Sequence, residues 1–357
     1  MTGRVLLYGA TGYTGEALAR HLVGKVELML AGRNPDRLAQ LGAELGLPWR
    51  AFDLAHPETV AAGIRDCAVL FNAAGPCADT AIPLAKASLA RGIHYLDVGG
   101  EWPVFEALME LSDAAQASGV MVMPGLGLTI AASDCLMKRA VERWPDTVRL
   151  CLGISRAHAM SRGSAITAAR LFEQQVMVRR SGRLEGVPLG SLTRPFDFGD
   201  GLRETTAMSW ADVVTGEHTT GVKDIEVYSE IPWWQRAGWR ASGVYASLTG
   251  AGAWRSAGAA LAQAWPQDPG EQVRNRGRYT MVVEALDRWR RPRWLRLHTH
   301  DGYGTTVLVA AEALRQILAG AAQPGFQTPA GIFGSSFVEQ AGAGTFEPVN
   351  RSSAACG

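Results

Sequence analysis

The chain has 357 residues, 47% of them hydrophobic and 19% charged, with a formal net charge of +1. That balance argues against a nucleic acid or a strongly acidic surface as partner. Five scattered cysteines, Cys67, Cys77, Cys135, Cys151 and Cys356, make no CxxC pair. They offer no metal site and fit a reducing compartment.

The length predicts two domains, or one with a large insertion. No signal-peptide pattern precedes the first apolar run. The longest membrane-like stretch without a charge, 241–254, is shorter than the roughly 20 residues of a spanning helix. The expected location is cytoplasmic.

Strands and helices alternate from the start. RVLLYG, VELMLAGR, WRAFDL, AVLFNAAGP, HYLDVGG and VMVMPGLG read as six strands. Between them GEALARHLVG, PDRLAQLGAELG, PETVAAGIRD, DTAIPLAKASLARG and FEALMELSDAAQASG read as helices. VLLY, AVLF and VMVM are apolar on consecutive residues, as in strands buried on both faces. This alternation predicts a doubly wound parallel sheet in an α/β protein.

After Leu128 the pattern changes. TIAASDCLMKRAVERW reads as a helix, TVRLCLGISR as a strand and SAITAARLFEQQVMVRR as another helix. A Gly-, Trp- and Thr-rich stretch to Trp265 gives only a weak assignment. RYTMVVEALD and RWLRLHTH form an antiparallel pair, and YGTTVLVAAEALRQILAG a last helix. The tail, 341–357, reads as disordered.

The sharpest local signal is GATGYTG, which puts Gly9, Gly12 and Gly15 at the first strand-to-helix turn. Such glycines permit a tight turn, let backbone approach a phosphate, and let the helix pack close. The following helix N-terminus, near Tyr13, offers N–H groups and positive dipole charge to a pyrophosphate. Thr11 and Thr14 add hydroxyls. The spacing is GxxGxxG rather than GxGxxG, so the strand before and the helix after carry the inference.

The second strand ends in Gly32, Arg33 and Asn34, where NAD binders place an acid for the ribose 2′-hydroxyl. A guanidinium pairs with a 2′-phosphate instead. The expected cofactor is NADP(H), with Arg33 on that phosphate. Asp53 is placed at the adenine edge. Asn72, Ala73, Ala74, Gly75 and Pro76 let ribose and pyrophosphate pass close to backbone. These loops should line one crevice at the carboxyl ends of the strands.

Together GATGYTG, AGRN, NAAGP, GIHYLDVGGE and MPGLG resemble the saccharopine dehydrogenase-like oxidoreductases, in the branch containing bacterial trans-acting enoyl reductases. PGEQVRNRGRYTMVVEA, DGYGTTVLVAAEALRQI and QTPAGIFGSSFVE extend the likeness to the C-terminal part. The resemblance implies an NADP-binding Rossmann domain over 1–128 and an α+β domain with a mixed sheet over 129–300. A C-terminal helix, 301–340, then returns to the first domain. It also implies reduction of C=C bonds in lipid or polyketide intermediates, or of C=N bonds to opine-like amines. Cys77 departs from the aromatic residue common after the proline of NAAGP. No tyrosine has a lysine four residues on, which argues against a short-chain carbonyl reductase.

Reductive chemistry needs a proton donor and groups that orient the acceptor. Tyr95, Asp97 and Glu101, in YLDVGGE, are the leading catalytic candidates. Asp97 is also placed on the nicotinamide ribose or carboxamide, and Gly99 allows close backbone approach. The competing reading makes Asp97 a loop cap and Glu101 a surface acid. Arg162, with Ser161 and Ser164 before a helix, is a candidate for a substrate anion. Asp301, Tyr303 and Thr305 are a weaker set. His298 and His300 share a strand face, with no third metal ligand in view.

Tryptophans and arginines crowd 233–296, as a core and solvated hairpin or as an apolar tunnel or membrane-facing surface. The expected function is NADPH-dependent reduction of a C=C bond in a hydrophobic substrate. The rivals are an imine reductase, and a non-catalytic dinucleotide-binding or docking protein. Expected partners are that small molecule, a synthase or a peripheral membrane surface, and a second copy in a homodimer.

Overall fold

The structure, a computed structural model, describes residues 3–155, 175–231 and 278–349. Arg162, Ser161, Ser164, the 241–254 stretch, and the tryptophans from Trp233 to Trp265 lie outside the described residues.

Six parallel strands form as the apolar runs require: β1 (Val5–Tyr8), β2 (Leu28–Gly32), β3 (Trp49–Ala51), β4 (Val69–Asn72), β5 (His94–Asp97) and β6 (Met121–Met123). Every residue of β1, β2, β4 and β6 is buried. The intervening helices are α1 (Tyr13–Leu22), α2 (Pro35–Leu45), α3 (Pro57–Gly63), α4 (Cys77–Arg91), α5 (Trp102–Met109) and α6 (Ser112–Ala117). Local chemistry sets their ends. Asn34 caps α2 by accepting the Arg37 N–H at 3.0 Å, Pro35 opens the helix, and Gly46 closes it with φ +67°.

The six strands run in the order β6-β5-β4-β1-β2-β3, and a seventh joins beside β6. This seventh strand, β15 (Gly325–Phe326), comes from the far end of the chain and pairs parallel with β6. The C-terminal segment therefore closes the first sheet.

After α7 (Leu128–Arg143) a second, mixed sheet begins with β7 (Thr147–Ile154). It continues through β8 (Gln175–Arg180), β9 (Arg183–Pro188), β10 (Thr193–Asp197), β11 (Leu202–Ala207) and β12 (Asp224–Ser229). The expected antiparallel pair is β13 (Tyr279–Asp287) and β14 (Pro292–Thr299), and it lies within this sheet. α7 and α8 (Asp212–Thr220) pack on the sheet. α9 (Gly302–Gln316) packs back on α1. A π-helical turn, Ile317–Ala321, follows it. α10 (Pro329–Phe333), α11 (Phe337–Gln340) and β16 (Gly344–Pro348) complete the described chain.

Three readings of the sequence need correction. Gln175–Arg180, taken as the end of a helix, is strand β8. The left-handed Ser181 (φ +48°) and Gly182 (φ +79°) turn it into a hairpin with β9, the geometry that twisted hairpins prefer. The tail expected to be disordered contains β16, which pairs antiparallel with β14. Glu347 on β16 accepts from Arg296 at 2.9 Å and meets His298 Nε2 at 2.8 Å, anchoring the added edge. The single helix expected over FEALMELSDAAQASG is two, α5 and α6.

A buried acidic pair joins α7, α8 and the C-terminal segment. Asp134 accepts from the Thr219 hydroxyl and, at 2.8 Å, from the Ala330 N–H that opens α10. Asp212 accepts from Ser133, and its other oxygen has no partner among the described residues. Burial raises Asp134 to about 6 and Asp212 to about 7. Raised carboxyls favour folding while protonated. The cost grows as pH climbs from about 4, where the unfolded acid ionises, and is complete above the folded pKa. Asp212→Asn is therefore expected to raise Tm by several degrees at pH 8 and to leave it unchanged near pH 4. Melting curves at both pH values check this, and a pH-independent difference would reject it.

Candidate functional site

The carboxyl ends of β1, β2 and β4 enclose a cleft of about 280 Å³. Gly9, Thr11 and Gly12 bound one side, and Gly32, Arg33, Asn34 and Arg37 another. Ala73, Ala74 and Gly75 complete it, with Tyr8 beside Gly9. The nucleotide-binding residues expected from three separate motifs thus meet in one crevice.

Two of the three glycines serve the turn itself. Gly9 has φ +83°, and a Cβ there would stand 2.6 Å from the Ala74 nitrogen. A Cβ on Gly15 would stand 2.2 Å from the Gly9 carbonyl oxygen. Gly12 is different: it is exposed, its φ is −81°, and its Cβ would meet only the Gly9 oxygen at 3.2 Å. Gly12 is the N-cap of α1 and, having no side chain, leaves the first N–H groups of the helix without a side-chain cap. The helix start thus keeps its positive end available to an anion. Tyr13 opens α1, with its ring edge-on to Tyr303 at 4.5 Å. Thr14 is half-buried behind it.

Arg33 and Arg37 are both exposed on this cleft, and neither forms an ion pair among the described residues. Two unneutralised guanidiniums on one small cleft repel each other and attract a multivalent anion. This is where the structure tests the nicotinamide dinucleotide: the cationic pair and the free glycine edge fit a 2′-phosphate and a pyrophosphate. Of these two cleft residues the sequence pointed to Arg33 and not to Arg37. The missed signal is position: Arg37 stands in the first turn of α2, the helix that begins at this cleft. Tyr8 was also missed. Its hydroxyl donates to Phe52 O at 3.3 Å, and burial raises its pKa to about 12.

Several candidates take supporting roles. Asn34 caps α2 as well as lining the cleft. Asp53 is exposed, and its Oδ1 accepts the Ala55 N–H at 3.0 Å in a turn. Asn72 is fully buried. Its amide donates to Thr80 at 2.9 Å and to Tyr95 at 3.2 Å, while its oxygen accepts the Ala74 N–H at 3.0 Å. It shapes the 73–75 wall from behind. Pro76 sits at the N-cap of α4.

Tyr95, Asp97 and Glu101 are buried, and their hydrogen bonds brace the loops after β5 and β6 and the start of α4. Tyr95 and Asp97 are fully buried. Asp97 accepts the Tyr95 hydroxyl at 2.8 Å, the Gly99 N–H at 2.7 Å and the Gly125 N–H at 3.0 Å. One carboxylate thus ties the end of β5 to the loop after β6. Burial raises Asp97 to about 6 against these bonds. Glu101 accepts the Cys77 N–H at 3.1 Å and the Ala78 N–H at 2.9 Å. It caps α4 from another loop, a placement the helix dipole favours. Cys77 packs against this brace, 3.3 Å from where a Cβ on Gly99 would lie, and burial pushes its thiol up. Gly99 is needed for that close packing.

At the start of α9, Asp301 accepts from the Tyr303 and Gly304 N–H groups at 3.2 Å, a cap. Thr305 is buried. The histidines are committed elsewhere: His298 Nδ1 meets Thr280 at 3.0 Å, and His300 Nε2 meets Gly342 O at 3.0 Å. Among the described residues no group of three potential ligands could hold a metal.

A parallel sheet of this order, a glycine turn at its first strand and a cationic cleft beside it define a dinucleotide-binding Rossmann domain joined to a mixed-sheet domain. Residues 5–123 match the family model of the saccharopine dehydrogenase NADP binding domain. The chain is 30% identical over 151 residues to a trans-acting enoyl reductase of Mycobacterium leprae, covering 39% of this chain and 36% of that protein. It is 29% identical over 160 residues to a trans-acting enoyl reductase of Mycobacterium tuberculosis, covering 41% and 38% respectively. The alignments thus span little more than a third of these relatives. Saccharopine dehydrogenase (L-Glu forming) from Saccharomyces cerevisiae shares the fold over 98% of this chain and 100% of its own, with a TM-score of 0.63 and 12% identity.

Proposed function

We propose that the protein is an NADPH-dependent oxidoreductase that reduces a C=C bond in a hydrophobic, lipid- or polyketide-derived substrate. The pair Arg33 and Arg37, unneutralised beside the open start of α1, is the observation that carries the cofactor half of this reading. The substrate half rests on the trans-acting enoyl reductases that share the N-terminal stretch. A trans-acting name also favours a substrate presented by a partner synthase.

NADPH, when bound, supplies a hydride. This chain's own residues hold and orient it. The 9–12 turn and the first N–H groups of α1 receive the pyrophosphate, and the two arginines receive the 2′-phosphate. Asp97 and Glu101 act as positioning residues. They fix the ends of β5 and β6 and the start of α4, so that the crevice is preorganised before substrate arrives.

Fluorescence titration with NADPH and NADH side by side is the test. NADPH is expected to bind at least about tenfold tighter, worth about 1.4 kcal/mol. NADPH oxidation is then followed with a trans-2-enoyl thioester, and with an imine formed from an amine and a 2-oxo acid. Faster turnover of the thioester supports C=C reduction, and faster turnover of the imine replaces it. Tight cofactor binding with no turnover of either would favour a binding or docking protein.

A further inference from the structure

A second cleft lies apart from the cofactor site. It lies between α3 and α4, holds about 760 Å³, and has no part in the reading above. Its floor is apolar, built from Leu54, Val60, Ala61, Pro83, Ala87 and Ile93. Its rim carries three cations, Arg65, Lys86 and Arg91, against one acid, Asp66. Cys67 and Ile93, at one end, precede β4 and β5, on the edge of the sheet away from Gly9–Gly12. An occupant here leaves the cofactor cleft open.

We infer that this groove docks an acidic, amphipathic helix of a partner protein. The first argument is shape. Pro83, Ala87 and Ala90 recur at helical spacing along α4, so their small side chains form one continuous wall, with Lys86 at its rim. From Pro83 to Arg91 that wall runs about 12 Å at 1.5 Å per residue. The cleft, about 760 Å³, is large enough to take several side chains from one face of a helix.

The second argument is charge. Lys86 and Arg91 are exposed, and neither forms an ion pair among the described residues. Arg65 faces only Asp66, at 3.8 Å, and Asp66 is shared with Arg50 at 3.6 Å. Exposed pairs at such distances contribute little. The rim is thus locally basic on a chain whose net charge is only +1. Glutamates flanking the apolar face of an incoming helix would meet it. Such complementarity steers association and selects partners. A second copy of this chain is the competing occupant, and its near-neutral charge offers no general acidic excess.

The test uses the full chain and a stapled, fluorescein-labelled helical peptide of three turns. Leucine and isoleucine occupy one face, with glutamates on both flanks. Fluorescence anisotropy at low salt is expected to show saturable binding that weakens with salt. Lys86→Glu/Arg91→Glu is expected to lower affinity at least tenfold, and Ala87→Trp, which fills the trough, to abolish it. A peptide with lysine for each glutamate is expected not to bind. Thermal melting shows whether each variant remains folded, and NADPH titration should be unchanged in all of them. The inference is overturned if the double variant binds as the wild type does, or if the lysine peptide binds equally well. Absence of binding at millimolar peptide overturns it too. Self-association of the wild type that the double variant abolishes would assign the groove to a second copy instead.

Discussion

Gly12→Ala is expected to melt like the wild type and to bind NADPH at least about thirtyfold more weakly, a loss of about 2 kcal/mol. Gly15→Ala is expected to fail earlier, at the fold. Its new methyl would lie 2.2 Å from the Gly9 carbonyl oxygen, a backbone atom that cannot step aside without opening the turn. Overpacking of that kind costs about 1–3 kcal/mol, here at the junction of β1 and α1. Gly12 has no such constraint. Its backbone is extended, and its one close contact, 3.2 Å, needs a shift of a few tenths of an ångström. What a methyl at Gly12 obstructs is the path of whatever lies against the open start of α1. Gly24→Ala is the control for strain alone: φ is +73° and nothing lies within 4 Å. It should lower Tm modestly and leave NADPH affinity intact. If Gly12→Ala binds NADPH as the wild type does, the turn is not the seat of the pyrophosphate.

The first sheet was legible because its strands are buried on both faces. Each announces itself as a short apolar run between helices, with no need of long-range information. The second sheet was less legible for the converse reason. In β9 most residues are exposed, and β11 opens with Leu202, Arg203 and Glu204 exposed. Their pairing depends on turns such as Ser181–Gly182 and on partners far away in sequence. β16 shows the same effect, since TFEP after Gly344 becomes a strand only because β14 offers an edge. β8 was misread because its apolar residues follow a helix-like run of sequence, and periodicity alone does not arbitrate short segments.

At the site, backbone-driven features were readable and side-chain networks were not. Glycines and the arginine after β2 stand at positions set by the strand-turn-helix unit, so their placement follows from local sequence. Asp97 and Glu101 sit beside the right crevice, but their roles depend on groups from other loops. Gly125 comes 28 residues after Asp97, and Cys77 stands 24 before Glu101. A buried carboxylate that satisfies backbone N–H groups looks the same in sequence as a catalytic acid. Only the accounting of its bonds separates them.

Arg33→Asp is expected to reverse the cofactor preference, weakening NADPH about a hundredfold or more, some 2.7 kcal/mol, while sparing NADH. The carboxylate removes one guanidinium and adds a charge that repels the 2′-phosphate but can accept from a 2′-hydroxyl. Arg37→Ala tests the shared cleft. The cap of α2 uses the Arg37 backbone N–H, not its side chain, so truncation leaves the helix start intact. A loss of about tenfold for NADPH is expected, with little change for NADH. If both arginines grip one phosphate, their effects should not add. After Arg33→Asp the phosphate is expelled, and Arg37→Ala should then cost almost nothing further. Titrations of the two single variants and the double variant with both nucleotides complete the cycle. Strict additivity would mean that the two guanidiniums act on different parts of the cofactor. Unchanged NADPH selectivity in Arg33→Asp would remove the phosphate from this cleft altogether.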